Sequence, residues 1–156
     1  MAGKRIFAYH KIIITLIPVC VALIYFLFCG DTKVMRNVAA ADSLTEVNQQ
    51  EAVRYIDSVA RADKGMSRNG RMKLLLLRMK ALNKLDCPLD TDTLASLVKY
   101  FDRHGSANDR MLANYILGCY YIGKGNSPEA MRYLRLAAEA ADTTDAAEIS
   151  SIKELL

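Results

Sequence analysis

The sequence contains few residues of the kinds that build catalytic or metal sites. Its 156 residues include four cysteines and two histidines, with no CxxC pair and no Cys/His cluster, so a zinc site is not expected. His10 lies in a basic leader and His104 in a turn beside glycine, and neither has a catalytic partner nearby. We therefore predict no catalytic residue, no metal and no cofactor, and we do not expect an enzyme.

Serine and aspartate are explained more simply by helix capping than by chemistry. No serine lies in a GxSxG context. Asp86, Asp90 and Asp92 lack the glycine and the distal glutamate of a calcium loop. Capping by Asp90 and Thr91 accounts for this stretch without a bound ion.

Excess positive charge is also scarce outside the N-terminus. Three of the four net charges belong to Lys4, Arg5 and Lys11, which leaves +1 for residues 12–156. A nearly neutral domain releases few counterions from a phosphate backbone, so we predict no nucleic-acid binding. One helix does carry a basic face, which we interpret as solvated, with a dock for an acidic peptide or lipid headgroups as the alternative; its residues are Arg71, Lys73, Arg78, Lys80 and Lys84.

The one long apolar run covers residues 12–28, "IIITLIPVCVALIYFLF", and has no charge. As a helix of 17 residues it would span roughly 25 Å, just enough for the hydrocarbon core of a bilayer. The cations that precede it predict a cytoplasmic N-terminus, which places residues 30–156 on the extracytoplasmic side. Residues 1–30 are thus expected to be a basic leader with a transmembrane or signal segment.

Three fates are open to this segment. An uncleaved anchor requires nothing further, and we rank it first. A lipoprotein requires an acylatable cysteine at the end of the run, and Cys29 is there, although Phe28 precedes it where a small residue is usual. A cleaved signal peptide is the weakest case, because the nearest suitable small residues lie at 38–42.

The other two cysteines, Cys87 and Cys119, lie beyond the apolar run. An oxidising compartment would permit a disulfide between them. Cys87, however, lies in a turn before Pro88, while Cys119 lies within a helix among aromatic residues. We therefore favour two separate thiols.

The stretch "NYILGCYYIGKGNSPEAMRYLRLAAEA", residues 114–140, predicts two helices joined by a short break. Ser106 and Asp109 come close to a capping box at the start of the first helix. Ser127 is expected to cap the second helix, with Pro128 in its first turn.

Small side chains in these two helices indicate that they pack closely. Gly118 and Ala130 leave room for two antiparallel helices to approach, and Ala137 does the same for the next element. The repeat-packing residues of this hairpin are Leu117, Gly118, Tyr121, Ala130, Leu134 and Ala137.

The pattern recurs upstream with less regularity. We predict three antiparallel hairpins, at about 33–62, 70–103 and 107–142, with Ala40 facing Ala52 in the first. No period-two alternation indicates a strand, so the predicted fold class is all-α. The repeat domain covers residues 31–144, and residues 145–156 form a helical tail.

The spacing of Leu-Gly, Tyr, Ala, a large apolar residue and Ala over residues 111–144 resembles the tetratricopeptide repeat (TPR). The aromatic residue expected early in the repeat is replaced by Asn114. With the N-terminal apolar run, the chain resembles bacterial envelope-anchored TPR proteins over about residues 12–144. This resemblance implies a right-handed superhelix whose concave side is lined by the first helix of each hairpin.

The resemblance implies an adaptor or scaffold at the bacterial cell envelope, which binds a protein or peptide partner and contacts the membrane through residues 12–28. Tyr115 and Ile122 are candidate partner-binding residues on the concave side. Because three hairpins are near the minimum for such a stack, a homo-oligomer is a further expectation. Longer relatives often carry a second span and an output domain. The alternative is therefore the input part of a truncated membrane-spanning TPR transcriptional regulator.

Overall fold

The computed structural model describes residues 32–141, and all of the regular structure in this part of the chain is helical. Helix α1 covers residues 32–47. The five helices that follow are α2 (Gln49–Ala62), α3 (Arg68–Lys84), α4 (Thr91–His104), α5 (Ala107–Gly123) and α6 (Ser127–Ala140). The all-α prediction is confirmed for these residues. The predicted membrane segment 12–28 and the tail 145–156 lie outside them.

The helices α2 to α6 each begin at a polar residue whose side chain accepts a hydrogen bond from the backbone N–H three residues later. These N-caps are Asn48, Ser67, Asp90, Ser106 and Asn126. Such caps satisfy backbone donors that have no partner within the helix. The predicted cap of α6 was wrong by one residue, because Asn126 accepts from the backbone of Glu129 and Ser127 is already helical.

Consecutive helices fold back on each other. In the first pair, a single residue separates α1 from α2, and the Tyr55 hydroxyl of α2 donates to Asn37 Oδ1 of α1 at 3.2 Å. The small residue of α1 that is buried is Ala41 and not the predicted Ala40, which is half-buried; Ala52 of α2 is buried. The prediction for Ala40 was thus displaced by one position along the helix.

Helices α5 and α6 form the closest pair among α2 to α6. Only residues 124–126 connect them, so they run antiparallel, and Gly125 takes a left-handed conformation in the turn (φ 69°). The buried side chains of α6 are Ala130, Leu134 and Ala137, of which two are small. Helix α4 buries Leu94, Leu97, Tyr100 and Phe101, which are all large, and it lies less closely against α3. The small side chains of α6 therefore favour its close approach to α5.

One main hydrophobic core runs through these helices. Its fully buried members include Ile56 of α2, Leu76 of α3, Leu97 and Phe101 of α4, and Ile116 of α5. Helices α1 to α5 contribute buried side chains to this core and the half-buried Tyr133 of α6 packs against it, so the six helices pack together as one body. Between residues 32 and 141 no helix combines the length and apolarity that a membrane crossing requires.

Candidate interaction surface

Four basic residues of α3 pair with acidic residues on three other helices; they are Lys73, Arg78, Lys80 and Lys84. Lys80 Nζ lies 3.2 Å from Asp42 Oδ1 and 2.9 Å from Glu46 Oε1, both on α1. Toward α2, Arg78 Nε lies 2.9 Å from Asp57 Oδ1. The face that the sequence suggested was solvated, or a dock for an acidic ligand, is thus used within the fold. Only 8% of Lys80 is exposed, and this burial makes its pairing matter more than that of a surface lysine.

The carboxylate of Asp109 both caps α5 and takes part in an ion pair with α3. Its Oδ2 accepts from the backbone N–H of Ser106 at 2.9 Å and from the Ser106 hydroxyl at 2.8 Å, which completes the capping box. The same oxygen lies 3.1 Å from Lys73 Nζ of α3. One carboxylate therefore fixes the start of α5 and its position against α3.

A groove of about 300 Å³ lies where α1, α3 and α5 meet, and we call it the inner groove. Apolar side chains from all three helices line it, together with the Lys73–Asp109 and Lys80–Asp42 pairs. Its apolar members are Met35, Val38, Ala39, Leu76, Leu77 and Leu112. Met35 is 51% exposed and so leaves apolar surface open to solvent.

A second groove, of about 590 Å³, lies between α4 and α6 with α5 at its base. Asn114 is part of its lining, and the Asn114 amide donates to the carbonyl of Arg110 at 2.8 Å. Asn114 Oδ1 is buried and has no hydrogen-bond donor among the described residues.

The predicted repeat-packing residues lie at the α5–α6 contact. Leu117, Gly118, Ala130, Leu134 and Ala137 are buried. A Cβ placed on Gly118 would lie 2.9 Å from Leu134 Cγ, closer than packed carbon atoms tolerate. The half-buried Tyr121 stacks on Tyr133 with ring centroids 5.6 Å apart.

The predicted partner-binding residues are not among the side chains that line either groove. Tyr115 is half-buried and packs against Met111 and Ala137. Ile122 is 45% exposed near the end of α5. The candidate lipidation residue Cys29 lies outside the described residues. Sequence reasoning missed the inner groove because its walls come from segments about 35 residues apart.

Comparison with known proteins found no match: no family model, no curated protein and no solved structure is significantly similar to this chain.

Proposed function

We propose that this chain is a protein-interaction module of tetratricopeptide-like hairpins, which binds a segment of a partner protein in the inner groove. Residues 12–28 would anchor it in the membrane at the bacterial cell envelope, with residues 30–156 on the extracytoplasmic side. The observation that supports the proposal is the inner groove itself, which is lined by side chains of three non-consecutive helices and where Met35 of α1 is 51% exposed.

The charges beside the inner groove indicate what kind of segment it takes. Lys73 and Lys80 already have carboxylate partners in Asp109 and Asp42. A strongly charged ligand would have to compete with these pairs, whereas an apolar side chain would displace water from Met35 and its neighbours. We therefore expect a partner segment with one or two large apolar side chains at its centre and polar residues around them.

A photo-crosslinking amino acid at Met35, introduced in the full chain in intact cells, tests the binding surface. Met131 provides the matched control, because it is a methionine of α6 with nearly the same exposure, 50%. We expect the same protein to be crosslinked from Met35 in every replicate and not from Met131. Equal crosslinking at both positions, or no reproducible adduct at Met35, would contradict the proposal.

The location is tested separately by protease digestion of intact cells and by acyl-chain labelling. Cleavage of residues 30–156 by an external protease once the outer barrier is permeabilised supports the extracytoplasmic side. Labelling that is lost in Cys29→Ser would indicate a lipoprotein, and its absence would favour an uncleaved anchor. Complete protection of the domain until the inner membrane is lysed would refute the proposed side.

A further inference from the structure

Cys87 lies in a turn that folds back on the end of α3. The backbone N–H of Cys87 donates to the carbonyl of Leu82 at 3.0 Å, and that of Asp86 donates to the carbonyl of Asn83 at 3.2 Å. Asp86 takes the left-handed conformation (φ 52°), which is uncommon outside glycine, asparagine and aspartate and reverses the chain here. The turn therefore holds Cys87 against the last turn of α3.

Cys119 approaches the same turn of α3 from α5. The side chains of Tyr115 and Asn83 lie close enough to influence the pKa of its thiol, and Asn83 and Cys119 line the same cavity. Asn83 is the neighbour of Leu82, the residue that holds Cys87. Two cysteines that are 32 positions apart in sequence thus lie beside the same end of α3.

A third contact joins the start of α4, which follows this turn, to α5. The Thr91 hydroxyl, at the first residue of α4, donates to the hydroxyl of Tyr120 at 2.6 Å, and Tyr120 follows Cys119 directly. The segment from Cys87 to Thr91 therefore passes beside the C-terminal part of α5. Between the turn and α5 is a cavity of about 360 Å³, and both Cys87 and Cys119 line it.

From this arrangement we infer that Cys87 and Cys119 are a redox pair, which forms a disulfide when the protein meets a low-molecular-weight disulfide such as oxidised glutathione. Both residues are reduced and half-buried in the structure. Both side chains line one cavity, and formation of the disulfide requires them to turn toward each other across it. Residues 32–141 contain no group of three histidine, cysteine or acidic side chains that could hold a metal ion.

The reaction proceeds by two thiol–disulfide exchanges. The Cys87 thiol loses its proton to solvent, and its thiolate attacks one sulfur of oxidised glutathione, which releases one glutathione thiolate and leaves a mixed disulfide. The Cys119 thiol gives its proton to the released glutathione thiolate. The resulting Cys119 thiolate attacks the Cys87 sulfur and releases the second glutathione as a thiolate, which takes up a proton from solvent. Two cysteine thiols are oxidised and one glutathione disulfide is reduced. Cys87 is assigned the first step because burial raises the pKa of the Cys119 thiol.

Tryptic mapping of the full chain in detergent, without reduction, tests this inference independently of the proposed partner binding. Cleavage after Lys84 and Lys99 releases Cys87 in the peptide 85–99, and cleavage after Arg110 and Lys124 releases Cys119 in the peptide 111–124. After incubation across a series of oxidised-to-reduced glutathione ratios, we expect these two peptides to be linked to each other. The folded protein should reach half-oxidation of this pair at a ratio at least about tenfold lower than the chain in guanidinium chloride.

The matched control is a variant in which one of the two cysteines is moved to a position that does not line the cavity. In Cys87→Ser combined with Ser96→Cys, the new thiol lies on the exposed side of α4, and Cys119 should stay unlinked to it. Recovery of the peptides 85–99 and 111–124 as separate glutathione adducts would overturn the inference. So would equal half-oxidation ratios for the folded and unfolded chains, or linkage of Cys119 to the displaced thiol as readily as to Cys87.

Discussion

The close contact between α5 and α6 gives the sharpest prediction for stability. In Gly118→Ala the new Cβ would lie 2.9 Å from Leu134 Cγ and Cδ2 and 3.3 Å from Leu134 N. The side-chain atoms could turn aside, but the backbone nitrogen belongs to α6, so relief requires the two helices to move apart. Overpacking of this kind costs about 1–3 kcal/mol.

Two effects of the same substitution oppose each other. Alanine is favoured over glycine within a helix by about 1 kcal/mol, which offsets part of the packing cost. The net expectation for Gly118→Ala is a loss of about 0–2 kcal/mol in the free energy of unfolding. Gly123→Ala is the matched control, because Gly123 belongs to the same helix and a Cβ there would meet no atom within 4 Å. It should be neutral or up to about 1 kcal/mol more stable than the wild type.

Urea unfolding of both variants, monitored by circular dichroism at the helix band, measures the difference between their free energies of unfolding. We expect Gly118→Ala to be less stable than Gly123→Ala by about 1–3 kcal/mol. Combining Gly118→Ala with Leu134→Ala should destabilise by less than the sum of the two single changes, because the second removes the atoms that clash. If Gly118→Ala gained stability to the same extent as Gly123→Ala, the close-packing argument would be refuted.

Three further changes test other parts of the structure. Hydrogen bonding from Lys84, and then from Lys80, lowers the pKa of Glu46 from its ordinary value of 4.5. The stabilisation that the Glu46 carboxylate contributes is complete above its ordinary pKa and is lost as the pH falls through the lowered pKa. In urea unfolding measured at a series of acidic pH values, Glu46→Gln should therefore lose less stability than the wild type between about pH 5 and about pH 3. Asn114→Leu replaces a buried amide oxygen that has no donor among the described residues, and it should raise the free energy of unfolding by about 0.5–2 kcal/mol; a loss of stability would show that the asparagine is needed there. Ser106→Ala removes the cap of α5 and should cost about 1 kcal/mol in the same assay, and no change would mean that the capping box adds nothing.

Local sequence signals predicted the helices well because their physical cause is local. Asp90 and Ser106 mark the starts of α4 and α5, since a side-chain oxygen must meet a backbone donor three residues on. The cap of α6 was misplaced because Asn126 and Ser127 are adjacent and can both cap. The structure chose Asn126, which leaves Pro128 in the first turn.

Contacts between distant segments could not be predicted in this way. The pairing of Lys80 with Asp42 joins residues 38 positions apart, and composition alone made the same lysine look solvated. Cys87 and Cys119 were expected to be separate because one lies in a turn and the other in a helix. Only the packing of α3 against α5 shows that both reach the same cavity.

The account depends most on the inner groove, and a titration with the crosslinked partner, once purified, tests it directly. The binding curves of the wild type, Met35→Asp and Met131→Asp should be compared by fluorescence anisotropy at one salt concentration. A buried carboxylate in the groove should weaken binding at least about tenfold, while the change on α6 should leave the affinity unaltered. Equal dissociation constants for Met35→Asp and the wild type would contradict binding in this groove.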